Sequence, residues 1–160
     1  MDNFDRMSRA PVFEGIDHDD IEALCACGRA LSFEAGHRLF DRGQDARELM
    51  ILQEGTVDLL FPIQLLGVTR ELTIETKEVG RVVAWSALVP PYRFTLSARC
   101  ASRCVLTSMS RDALEGFFWE HSRVGLLFMR NLASVIGQRL YAMQSMWLSD
   151  LQSGARQRLG

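Results

Sequence analysis

Apolar and polar positions divide the chain into three stretches with different periods. In the first, Pro11-Val12-Phe13-Glu14-Gly15-Ile16 makes a short apolar entry, and Ile21, Leu24 and Leu31 then recur at helical spacing behind Asp17. His18-Asp19-Asp20 sets an acidic first turn against the positive end of a helix dipole, so the pattern predicts a helix over about 17–29. From Leu31 the period shortens. Strand-length apolar runs at 37–40, 48–53, 56–61, 68–74 and 81–83 alternate with Gly36, Gly43, Gly55, Gly67 and Gly80, and further β-type runs follow at about 94–98 and 104–108. Regular short strands with glycine corners predict a sandwich, a barrel or a jelly roll. After Ser110 the helical period returns. Ser110-Arg111-Asp112-Ala113 opens a short helix holding Leu114, Phe117, Phe118 and Trp119, and a longer helix runs from about 122 to 150. The tail from Ser153 to Gly160 is expected to fray as a mildly basic end.

The long helix carries a second pattern. Met129, Ala133, Ile136, Leu140, Met143 and Trp147 alternate at spacings of four and three, which is the seam of a two-stranded coiled coil. Leu132, Val135 and Met146 widen the stripe enough to pack on the helix's own domain as well. Two arrangements are open on this pattern: pairing of two copies, or a helix folded back entirely on the β-segment.

Composition narrows the field. The 160 residues, 48% hydrophobic and 24% charged, suit one globular domain spanning 1–160, and no repeat or linker divides them. The net charge of −2 lacks the basic excess of a domain that grips nucleic acid through its phosphates, so no direct DNA binding is expected. No apolar run is long enough to span a bilayer, and the N-terminal residues lack a signal-peptide core; no membrane association and a cytoplasmic location are the expectations.

The chemistry-bearing residues are sparse. Cys25-x-Cys27 and Cys100-x3-Cys104 lack the two-residue spacing of zinc ribbons or thioredoxin-like motifs. Free, packed thiols are expected, with a four-thiol metal or cluster site as the alternative. His18, His37 and His121 are dispersed, so no histidine-rich metal centre and no metal or cofactor are expected. No nucleophile-elbow motif occurs, and the chain reads as non-catalytic.

The remaining motifs follow in order. Phe33-Glu34-Ala35-Gly36-His37-Arg38-Leu39-Phe40-Asp41-Arg42-Gly43-Gln44 comes first, then Glu48-Leu49-Met50-Ile51-Leu52-Gln53-Glu54-Gly55-Thr56-Val57-Asp58. Gly80 then leads into Ala84-Trp85-Ser86-Ala87-Leu88-Val89-Pro90-Pro91-Tyr92-Arg93-Phe94-Thr95. Together these resemble the cyclic nucleotide-binding domain of the catabolite activator protein (CRP/FNR) superfamily, over about residues 11–150.

The resemblance implies an α+β, mainly β fold: a double-stranded β-helix or jelly roll over about 32–109, flanked by N-terminal helices and by C-terminal helices over about 111–150. It also implies a regulatory or sensor module that signals through its C-terminal helix, and a parallel homodimer built on that helix. In the family, the third motif binds the cyclic phosphate with backbone N–H groups and an arginine, while a glutamate accepts the ribose 2′-hydroxyl. On this chain the arginine position falls on Arg93, and the expected ligand-binding residues are Trp85, Ser86, Ala87, Tyr92, Arg93 and Thr95. Trp85 stands where the glutamate is expected. Its indole donates only and cannot accept a ribose hydroxyl. Ala84 replaces the neighbouring glycine, and Pro90-Pro91 lies in a spacer shorter than the family's common one. The ligand is therefore open between a cyclic nucleotide, another small anion held by Arg93 between the Trp85 and Tyr92 rings, and an empty pocket that leaves only an interaction or dimerisation module. Transcription factors of the superfamily carry a DNA-binding domain after the long helix. This chain ends at Gly160, about ten residues beyond the predicted helix end, so a stand-alone regulatory module is expected, with a fragment of a longer protein as the alternative.

Overall fold

The computed structural model describes residues 3–159; the ends of the tail and of the N-terminal segment discussed above, at Met1, Asp2 and Gly160, lie outside them. The chain runs α1 (Asn3–Ser8), a 3-10 turn Pro11–Phe13, α2 (His18–Ala26), β1 (Arg29–Phe33), β2 (Arg38–Phe40), β3 (Glu48–Glu54), β4 (Val57–Leu65), β5 (Val68–Lys77), a 3-10 turn Trp85–Leu88, β6 (Ser97–Cys100), β7 (Cys104–Ser110), α3 (Arg111–Glu120) and α4 (Ser122–Leu159). The strands form two antiparallel sheets, ordered β1-β7-β3 and β2-β6-β4-β5. Leu49, Ile51 and Leu106 from one sheet and Val57, Leu59 and Ala98 from the other belong to one buried core. This is the α+β, mainly β jelly roll that the motifs imply.

The five glycines that punctuate the β-segment all have positive φ. Gly55 shows why one of them admits no other residue. Its φ is +85°, and a Cβ there would sit 2.1 Å from the Arg103 carbonyl oxygen. The β4–β5 hairpin closes through Leu66 and Gly67, both left-handed, after pairing from Val57↔Lys77 to Leu65↔Val68.

Element ends depart from the sequence pattern in four places. The first predicted helix stops at Ala26 rather than near 29, because Arg29–Phe33 is taken into the sheet against Ser108–Cys104; long-range pairing overrides local propensity there. The roll accordingly begins at Arg29. The 81–83 run contributes only a single bridge, Ile51↔Val82, and strand β6 starts at Ser97 rather than 94. The C-terminal tail does not fray at Ser153. Helix α4 continues to Leu159, since nothing but Gly154 interrupts its last turns and a single glycine costs only about 1 kcal/mol.

Helix α3 starts on Ser110, whose hydroxyl accepts from the Ala113 N–H at 3.2 Å. Helix α4 packs on the body through Val124, Phe128 and Leu132, all buried. Phe128 lies between Phe13 and Phe118, with ring centroids 5.9 and 5.3 Å away. The buried Asn131 donates to the carbonyls of Val12 and Glu14 at 3.2 and 2.7 Å, tying the helix to the N-terminal 3-10 turn. Beyond Leu140 every residue through Ala155 is exposed except Gly154, which is half-buried. The described residues contain no helix long and apolar enough to cross a membrane.

Candidate functional site

The residues from Ala84 to Leu96 close one end of the roll. The 3-10 turn Trp85–Leu88 buries Ser86, Ala87 and Leu88. After it, the chain passes Pro90-Pro91 and reaches Tyr92 at φ +58°. It then bridges the 41–47 loop: Ala46 donates to the Tyr92 carbonyl at 2.8 Å, Gly43 to the Phe94 carbonyl at 2.8 Å, and Phe94 to the Gln44 carbonyl at 3.0 Å. Extended backbone alternates its side chains. With Phe94 turned inward, Arg93 and Thr95 fall on the opposite side from it.

That alternation decides the chemistry. Phe94 is 8% exposed and stacks on Phe40, with centroids 3.7 Å apart and ring planes within 9°. The space left beside the pair is about 10 Å³, roughly one water. Trp85, Ser86 and Thr95 border that residue of a cavity, together with Arg139 from α4. The Arg93 side chain is 60% exposed. Its Nη1 donates to the Gly43 carbonyl at 2.9 Å and lies 3.4 Å from Asp45 Oδ1. So Trp85, Ser86 and Thr95 of the six expected residues border this gap, Thr95 from the exposed face, and the expected anchor lies on the outer loop.

Tyr92 and Ala87 serve a different centre. The Arg111 guanidinium sits 3.7 Å over the Tyr92 ring, its Nε donates to the Ala87 carbonyl at 2.7 Å, and its Nη2 donates to the Ala46 carbonyl at 2.6 Å. One arginine at the start of α3 thus staples the turn to the 41–47 loop, in a cation–π and bidentate geometry suited to a guanidinium. Tyr92 is accordingly not a wall of the interior. Sequence reasoning passed over Arg111 because it opens a helix, where it reads as a surface residue.

The cysteines are all free: Cys100 and Cys104 are buried, Cys25 is half-buried and Cys27 is exposed. Cys27 departs from the packed reading because it caps the end of α2, its Sγ 3.5 Å from the Ala23 carbonyl. Each histidine meets an aromatic ring, His18 with Phe4, His37 with Phe33 and His121 with Phe117. Among the described residues, no three His, Cys, Asp or Glu side chains come together to hold a metal ion.

A larger cavity, about 480 Å³, lies outside the roll between β5, residues 78–82, Pro11-Val12 and the face of α4 from Val135 to Met146. Lys77, Glu75 and Arg139 border it. None of these was among the sequence candidates.

Comparison with known proteins agrees with this architecture. The family model described as "cyclic nucleotide-binding domain" matches residues 30–121. A cyclic nucleotide-binding domain from Methylobacillus flagellatus KT superposes with a TM-score of 0.80 at 16% identity, covering 92% of this chain and 83% of that one. The N-terminal domain of a transcriptional regulator from Streptomyces coelicolor A3(2) superposes with a TM-score of 0.71 at 20% identity, over 86% of this chain and 94% of that one. The catabolite activator protein of Thermus thermophilus does so with a TM-score of 0.73 at 21% identity, over 90% of this chain but 63% of its own length. At these identities the likeness is one of fold. No curated protein sequence matches the chain.

Proposed function

The chain belongs to the cyclic nucleotide-binding domain family, and from that premise we propose that it is a non-catalytic regulatory module whose roll interior is closed to cyclic nucleotides. The observation that supports this reading is the Phe40–Phe94 stack, which fills the roll beside the Trp85–Leu88 turn. A cyclic nucleotide bound in the family manner needs a cation for its phosphate and an acceptor for its ribose hydroxyl. Here Phe94 occupies the interior beside the turn, Trp85 offers no acceptor, and Arg93 is engaged with Gly43 and Asp45 on the outer loop. A site whose polar partners are missing loses several orders of magnitude in discrimination.

The module's output is carried by α4. The helix borders the roll interior through Arg139 and is anchored to the N-terminal turn through Asn131, and its exposed apolar stripe continues past the body, which supports pairing with a second copy of the chain as the output. Calorimetric titration with cyclic AMP and with cyclic GMP tests the reading. No saturable heat is expected at millimolar nucleotide. Micromolar binding of either nucleotide would overturn it.

A further inference from the structure

We propose that the cleft between β5 and α4 is a binding site for an amphiphilic monoanion, a carboxylate on an apolar body, held by Lys77 and Arg139. The proposal concerns a cavity outside the roll interior that shares Arg139 with it, whereas Lys77 borders the cleft and not the interior gap.

The cleft is built around a buried cation and a half-buried one that share one carboxylate. Lys77 is 7% exposed, with Nζ 2.5 Å from Glu75 Oε1. The Arg139 side chain is 16% exposed, and its Nε lies 3.4 Å from Glu75 Oε2. Among the described residues, the Lys77–Glu75 bond is the one hydrogen bond that either cation donates to protein. Both residues border the cavity, and each carries further N–H donors beyond the contact with Glu75. At the rim, Arg81 and Glu78 offset each other. The lining therefore carries three cations and two carboxylates, an excess of one positive charge.

Uncompensated charge in a partly buried site is costly, and a folded protein retains it where something pairs with it. Burial lowers the pKa of both Lys77 and Arg139, while Glu75 acts in the opposite sense on each. The single carboxylate thus leaves a desolvation cost that a bound anion would offset. A guanidinium and an ammonium that border one cavity and meet at one carboxylate can hold a second carboxylate with charge-assisted bonds, the guanidinium as a fork and the ammonium as a point charge.

The rest of the wall selects the body of the ligand. Ile74, Val82, Val135, Ala142, Met143 and Met146 border the cavity, so its far side is aliphatic and thioether. Methionines adapt to irregular apolar shapes. The volume of about 480 Å³ falls within the range of small-molecule sites. Mononucleotides fit the cleft poorly, since it has charge for one anionic group and no aromatic surface for a base.

Calorimetry on the full chain tests the site with hexanoate as the probe and with hexan-1-ol and hexylamine as controls of the same body. Hexanoate is expected to bind saturably at one per chain, with both controls weaker by about tenfold or more, the loss of one charge-assisted interaction. Lys77→Met and Arg139→Gln should each reduce hexanoate affinity by a similar factor, while Arg93→Ala leaves it unchanged. Lack of saturable hexanoate binding, equal binding of hexan-1-ol, or undiminished affinity in both cleft variants would overturn the proposal. If Lys77→Met does not fold, Arg139→Gln decides, together with methyl spectra of the unmodified protein. Shifts at Met143 and Met146 on adding hexanoate support the site, and their absence at saturation overturns it. Cyclic nucleotide binding that persists in Lys77→Met would overturn the closed roll and leave the hexanoate outcomes as they stand.

Discussion

Phe94 lies against Phe40 with ring centroids 3.7 Å apart and planes within 9°, and that pair, rather than Arg93, occupies the interior of the roll. Arg93 is the neighbour of Phe94, so one step of strand alternation separates a cation facing a ligand from one bound to the Gly43 carbonyl on the outer loop.

Phe94→Ala is expected to destabilise the fold by about 3–5 kcal/mol, because it removes a buried ring and leaves a cavity beside Phe40 that the two sheets cannot close. Urea unfolding measures the loss from the midpoint at an unchanged slope. A loss below about 1 kcal/mol would mean that the ring does not fill the interior.

Arg93→Ala is expected to leave stability within about 0.5 kcal/mol of the parent. Its partner Asp45 and its own side chain are 58% and 60% exposed, and solvent screens such a pair. The comparison of thermal midpoints in low and high salt checks this: neither buffer should separate the two proteins by more than a degree or two. A large loss would place Arg93 in a structural role that its exposure does not indicate.

Much of the architecture was legible along the chain, and for local reasons. Gly36, Gly43, Gly55, Gly67 and Gly80 mark corners where the backbone takes positive φ, and Ser110 marks a helix start with its own side chain. The stripe from Met129 to Trp147 was legible because helical spacing fixes which residues share a face. The site was not legible in the same way. A motif locates an arginine to within a residue, and in a strand one residue is the difference between the two faces. The Lys77–Glu75–Arg139 cluster was hidden for a further reason: Arg139 joins the other two only because α4 crosses β5, and no local pattern encodes that crossing. One partial signal existed. Lys77 and Glu75 lie opposite the buried Val57 and Leu59 in the β4–β5 ladder, which sets a lysine and a glutamate on an inward-facing register.

The thiols give a pH dependence. Burial, reinforced by Cys27, pushes Cys25 up to about 12; burial, reinforced by hydrogen bonding to and charge on Cys104, pushes Cys100 up to about 12 as well. Both start from an ordinary value of 9.0. Below that value the folded and unfolded chains both keep these protons, so stability is unaffected. Between about 9 and 12 the unfolded chain loses them first, binds fewer protons than the folded chain, and stability falls as pH rises. Urea midpoints at pH 8 and pH 10.5 should therefore drop more for the parent than for Cys25→Ala/Cys100→Ala. An equal drop would show that these thiols ionise normally in the fold. At pH 8, the exposed Cys27 should be the first thiol to react with an aromatic disulfide reagent.

The last prediction concerns α4 itself. Its 38 residues extend about 57 Å at 1.5 Å per residue, yet only its first half packs on the body. Leu140, Met143 and Trp147, all on the coiled-coil stripe, are 57%, 47% and 68% exposed. An isolated helical end of that length is marginal in water, and an apolar stripe along it is stable when it meets a copy of itself. The chain is accordingly expected to be a parallel homodimer at micromolar concentration, measured by gel filtration with light scattering. Leu140→Glu combined with Trp147→Glu should give a folded monomer, since both side chains lie away from the Val124, Phe128 and Leu132 face that packs on the body. A parent protein that stays monomeric at tens of micromolar would leave the stripe without its partner and remove α4 as the route by which one copy influences another.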